Sequence, residues 1–108
     1  VTGAETCELA LALAAAGRID AGMEQVAAMQ HLRHEDGSYW TGFVYPDGVR
    51  WPVERTTWTA AAVVLAADAL SAGTAASGLF RDVSALARGD SGTDVPAPAA
   101  GDAGSPVR

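Results

Sequence analysis

Two stretches of this chain are apolar on nearly every side of a helix, and that restricts what it can fold into. The first, Ala4 to Ala16, sets Leu9, Leu11 and Leu13 among alanines and leaves almost no polar face. The second, Glu54 to Ala72, places Trp58, Ala61, Ala62, Leu65 and Ala69 on one stripe. Val63, Val64 and Ala67 cover most of the remainder, and Asp68 is the one charge in its body. Helices of this kind are buried on several sides or require a partner. Alanine supplies much of the 49% hydrophobic content. It buries little area per residue at roughly 25 cal/mol per Å², so a core made from these helices alone is thin.

Local signals place the ends. Thr2 and Glu5 match a capping box, a hydroxyl followed three residues later by a carboxylate. Glu5 and Glu8 suit the positive end of the first helix, and Gly17 suits its stop. Asp20 can cap an outer helix from Ala21 to Leu32, with Met23, Val26, Ala27 and Gln30 on one stripe. Arg33 and His34 suit its negative end. Pro52 stands near the start of the third helix, where a missing N–H costs little. The fold class is therefore all-α: an antiparallel helical hairpin plus a further inner helix. A turn at Ser77-Gly78 is expected to tuck Leu79 and Phe80 onto the helices. From Gly89 to Arg108 the chain is Gly, Pro, Ala, Ser and Asp with little apolar content, which predicts disorder. Residues 4–81 form the helical region and 82–108 the tail.

Composition narrows function. A net charge of −6 with scattered arginines argues against a nucleic-acid or anionic-membrane partner, since both need clustered basic residues. The single cysteine, Cys7, forms no internal disulfide and reads as a small buried hydrophobe. No basic start precedes an apolar run, and Leu9 to Ala16 is too short to span a bilayer. A cytoplasmic location is the expectation. The chain begins at Val1, which permits an alternative start codon, a processed product or a fragment; it is read as the C-terminal end of a larger protein or a truncated relic of one.

Nearly all the aromatic residues lie in or just after the segment from Asp36 to Pro52. Asp36-Gly37 and Asp47-Gly48 are turn dipeptides, because glycine accepts positive φ and aspartate bonds to nearby backbone. They bracket Tyr39 to Tyr45, which is expected to form a hairpin-like excursion. Turn-rich connections between plain helices are where recognition resides.

The order of inner helix, outer helix, Gly-aromatic connection and inner helix resembles part of the repeat of the terpenoid cyclase and protein prenyltransferase superfamily, the α/α toroid. Gln30, Asp36, Gly37, Tyr39 and Trp40 carry the resemblance as a structural turn. The string from Met29 to Leu65 is similar to actinobacterial prenyltransferase-like proteins. The resemblance implies a partial toroid that docks onto remaining repeats or a partner chain. It implies a transferase or cyclase-like relative binding an isoprenoid, with this chain inactive by itself. The Asp-x-Asp-Asp proton-donor motif and the zinc set of that superfamily are not matched, so no catalytic residue, metal or cofactor is assigned.

The ligand-binding candidates are Tyr45, Arg50, Trp51, Glu54 and Trp58. Aromatic faces can line an apolar pocket and attract cations, and Arg50 with Arg55 can hold a diphosphate. Trp40 reads as a staple of the connection. Asp47 and Glu54 can serve as acid and base across a cleft, or Glu54 can complement a helix start. His31 and His34 lie three apart, a spacing that suits two ligands, but no third has diagnostic spacing. Two other readings stay open. In a carbohydrate-active toroid enzyme, Trp and Tyr platforms beside Asp and Glu would bind a sugar. In a non-enzymatic interaction module, the apolar helix faces would dock another chain.

Overall fold

The computed structural model describes residues 1–82; the expected disorder of the tail falls almost wholly outside them. The described chain is mostly helical, with α1 at Gly3–Ala15, α2 at Ile19–Ala28 and α3 at Thr57–Ser71. One antiparallel pair of two-residue strands, β1 at Phe43–Val44 and β2 at Val49–Arg50, joins Phe43 to Arg50 and Val44 to Val49. Short 3-10 turns follow α2 at Gln30–Leu32 and α3 at Ala75–Gly78.

The all-α expectation is met, with boundaries moved for local reasons. Thr2 precedes α1 but makes no side-chain cap bond. Its backbone instead bridges to Gly42, and its carbonyl accepts the Thr6 hydroxyl at 2.6 Å. The Glu5 carboxyl is held below its ordinary range, chiefly by a hydrogen bond with the Thr2 side chain. Asp20 lies inside the first turn of α2, and Arg18 holds the cap position. α2 ends at Ala28, and Gln30–Leu32 tightens into a 3-10 turn. α3 begins at Thr57, several residues later than expected. Its cap is Thr56, whose hydroxyl accepts the Thr59 amide at 3.2 Å.

The core lies where α1, α2 and α3 converge: Ala4, Cys7, Ala10, Met29, Leu32, Ala62 and Ala66. Cys7 and Met29 are fully buried, with their sulfurs 3.5 Å apart. The expected outer-helix stripe omitted Met29 and Leu32. Met23, which it included, is exposed. Gly22 sits at the crossing of all three helices. A Cβ there would stand 2.8 Å from Leu70 Cδ2 and 3.0 Å from the Ala10 carbonyl oxygen. Small residues let these backbones approach closely, which is how alanine-rich helices make a core at all.

Only one side of α1 and α3 is covered in this way. Leu9, Trp58, Val64 and Leu65 are exposed, which corrects the expectation of two buried helices. Among the described residues α2 is the one helix that covers them, and it occupies one flank of the pair. Leu79 is also exposed rather than tucked in.

Candidate functional site

The segment between α2 and α3 forms a rim at the N-terminal ends of α1 and α3. Backbone bonds sew it to both: the Gly3 amide donates to Thr41 O at 2.9 Å, the Phe43 amide to Val1 O at 2.8 Å, and the Thr41 amide to Glu54 O at 3.0 Å. Gly42 stands at the seam, where a Cβ would lie 2.7 Å from Trp51 O and 3.1 Å from Val1 O. The hairpin turns at Tyr45 to Gly48, with Gly48 at φ +64°. The sequence had instead suggested an excursion bracketed by the two Asp-Gly pairs. The strands pair across Asp47-Gly48, because Gly48 supplies the positive φ that reverses the chain there.

Asp36 organises the first half of the rim. Its carboxylate accepts from the Ser38 hydroxyl at 2.6 Å and the Ser38 amide at 3.0 Å, and it pairs with Arg55. These bonds, those from Ser38 foremost, push its carboxyl far below the usual range. Arg50 and Arg55 set their guanidinium carbons 4.7 and 5.2 Å from the Trp40 ring centre. Such exposed cation–π contacts contribute about 0.5–1 kcal/mol each. Trp40 is half-buried against the core, so it holds the connection down. Gln30 accepts the Tyr39 hydroxyl at 3.0 Å and donates to Val26 O at 2.9 Å. Gln30, in the 3-10 turn after α2, and Tyr39 thus bond to each other across the connection.

The ligand-binding candidates separate in space. Tyr45 lies 3.4 Å through its hydroxyl from His31 Nε2, and both rings contact Phe43. His34 instead meets Asp36, Arg55 and Trp40. The two histidines therefore serve different contacts, and no cluster of three metal-ligating side chains occurs among the described residues. Trp51 and Glu54 are exposed on the rim, Trp51 at 69%. Trp58 lies apart from them, on the open side of α1 and α3.

There it lines a groove of about 340 Å³ with Leu11, Ala61, Ala62, Leu65, Phe80 and one charged residue, Glu8. Tyr45, Arg50, Trp51 and Glu54 do not line this groove. Sequence reasoning read Glu8 as a charge suiting a helix end and missed its place here. The signal was available: Glu8 and Leu11 are three apart and share a face of a helix that is otherwise apolar. Among the described residues no helix is long and apolar enough to cross a membrane.

No family model matches the chain. Over 83 residues it is 69% identical to the MMP endo-(1,4)-3-O-methyl-alpha-D-mannosidase of Mycolicibacterium hassiacum. The match takes in 77% of this chain and 23% of that protein, so the chain spans about a quarter of its relative's length. This similarity overturns the prenyltransferase-like and terpenoid-cyclase expectation, and with it the isoprenoid ligand and the transferase activity. The physical reason lies in the turn that suggested them. Gln30 and Tyr39 bond to each other and hold down a connection between helices. They carry architecture, and architecture does not specify chemistry.

Proposed function

We propose that this chain is part of a carbohydrate-active enzyme, a glycoside hydrolase acting on an O-methylated α-mannan. The identity of 69% to the mannosidase carries the reading. Exposed tryptophan faces beside carboxylates support it, since such surfaces suit sugar rings and their hydroxyls. Glycoside hydrolysis uses two carboxyl groups, about 5–5.5 Å apart for retention or about 6.5–9.5 Å apart for inversion. Asp36 is engaged by Ser38 and Arg55, and the groove contributes one carboxylate, Glu8. We therefore assign this chain to holding substrate, with the catalytic pair completed by parts of the enzyme beyond it.

Residues 4–81 then form one sector of a larger helical assembly in which further helices flank α1 and α3. Exposed Leu9 and Val64 are the positions those helices would cover.

Titrating the 108-residue chain with α-1,4-linked 3-O-methyl-mannose oligosaccharides, read by tryptophan fluorescence, tests the reading. Saturable quenching is expected with these sugars and none with a prenyl diphosphate. A chain that is helical by circular dichroism yet responds to no sugar would overturn it.

A further inference from the structure

We propose that His34 is a proton-driven latch in the rim: neutral, it holds Arg55, and protonated, it passes its bond to Asp36 and lets Arg55 go. The latch does not depend on which ligand the rim takes. It arises from a conflict at one atom. His34 Nδ1 stands 3.2 Å from the Arg55 nitrogen Nη1, a donor, and 3.2 Å from Asp36 Oδ1, an acceptor. A ring nitrogen carries either a lone pair or a proton, so Nδ1 serves one of these neighbours at a time.

In the neutral ring two donors favour the lone pair on Nδ1. Arg55 directs Nη1 at it, and the Asp36 amide lies 3.5 Å from the same atom. The neutral ring therefore carries its proton on Nε2. The turn holds the ring in place: the His34 amide donates to Ser38 O at 2.8 Å, and the Gly37 amide to His34 O at 3.0 Å. With 37% of the side chain exposed, protons reach it from solvent. Histidine is the side chain that gains charge between about pH 8 and pH 5. Asp36 stays ionised throughout, because the Ser38 bonds and then Arg55 keep its carboxyl far below the usual range. A proton on Nδ1 thus finds an acceptor ready, and it turns the contact with Arg55 into a meeting of two cations. The other charges nearby are Arg33 and Glu35 beside His34 in the chain, Glu54 beside Arg55, and Arg50 of β2 on the Trp40 ring. Asp36 and Arg55 are the charged side chains that reach the imidazole.

Release matters because of what Arg55 holds. Its Nη1 also donates to Ser38 Oγ at 2.8 Å and pairs with Asp36, and its guanidinium lies over the Trp40 ring. Arg55 immediately precedes Thr56, the cap of α3. It therefore ties the Asp36 turn to the start of α3. Protonation of His34 slackens that tie, close in the chain to the exposed Trp51 and Glu54. Arg50 does not touch His34 and keeps its place on Trp40.

Heteronuclear NMR on the isotope-labelled 108-residue chain, from about pH 8 to about pH 5, tests the latch. At the upper end the imidazole nitrogen shifts are expected to show Nδ1 of His34 bare and Nε2 protonated. On acidification the Arg55 Cζ and Trp40 indole resonances are expected to move with the midpoint of the His34 ring. His34→Gln is expected to abolish that movement, and His31→Gln, at the Tyr45 contact, to leave it intact. Asp36→Asn is expected to shift the His34 midpoint to lower pH, because the added proton loses its acceptor. Circular dichroism confirms that each variant is folded. A proton on Nδ1 at the upper end would overturn the latch. So would Arg55 and Trp40 resonances that ignore the His34 titration, that still respond in His34→Gln, or that fall silent in His31→Gln. An unchanged midpoint in folded Asp36→Asn would overturn the exchange of partners.

Discussion

α1 and α3 each have two apolar faces of opposite fate. Toward α2, Cys7 and Ala10 of α1 and Ala66 of α3 are buried and closely fitted against Met29 and Leu32. Away from it, Leu11, Trp58, Leu65 and Phe80 border an open groove. The inward face uses alanine and glycine so that backbones can approach. The outward face carries larger side chains spread around a space. Apolar composition therefore marks both a core and a surface awaiting contact, and side-chain size distinguishes them here. Small residues pack against a neighbouring helix, whereas large ones with no neighbour leave room for something else.

Substitutions on the two faces can break this contrast. Leu32→Ala removes a fully buried side chain and is expected to cost about 2–5 kcal/mol, read as a lower midpoint in urea unfolding. A loss below about 1 kcal/mol would mean that the inward face is loosely packed. Gly22→Ala has two opposing effects. The helix gains about 0.5–1 kcal/mol from replacing glycine, while crowding at the Ala10 carbonyl costs about 1–3 kcal/mol. The net expectation is destabilisation of about 1 kcal/mol, and thermal unfolding by calorimetry would show it. A stabilised variant would imply that the helices can move apart freely. Trp58→Ala on the outward face is expected to change stability by no more than about 0.5 kcal/mol, despite the size of the side chain. A larger loss in the same urea assay would make Trp58 a core residue and close the groove as a binding surface.

The helices were legible because their signals are local and periodic. Each was anticipated within a few residues at most termini, and the order of hairpin plus third helix follows from the chain. Helix burial was not legible in the same way. Trp58 and Leu65 share the apolar stripe with Ala62 and Ala69, and periodicity alone does not say which neighbour is present. Met29 escaped notice because it lies at the α2 boundary, where the chain tightens from helix to 3-10 turn and shifts the face it presents. The family drawn from the connection of Gln30, Tyr39 and Trp40 was mistaken, because the Gln30–Tyr39 bond holds a connection together and specifies no chemistry. Glu8 was overlooked because its position near a helix start offered a sufficient explanation of its charge.

The seam between the first residues and the rim bears on portability. The Val1 nitrogen donates to Phe43 O and the Phe43 amide to Val1 O, a pair of bonds joining residues 42 apart. Thr41 is tied in turn to Gly3 on one side and Glu54 on the other. The hairpin owns little of the bonding that shapes it. Cut out as a peptide, or grafted onto another helical pair, it would leave behind the strand-like segment at Val1 to Gly3 that gives it form. The transferable unit is therefore the whole clasp, first residues included, and a graft that carries the aromatic loop alone carries its side chains without their arrangement.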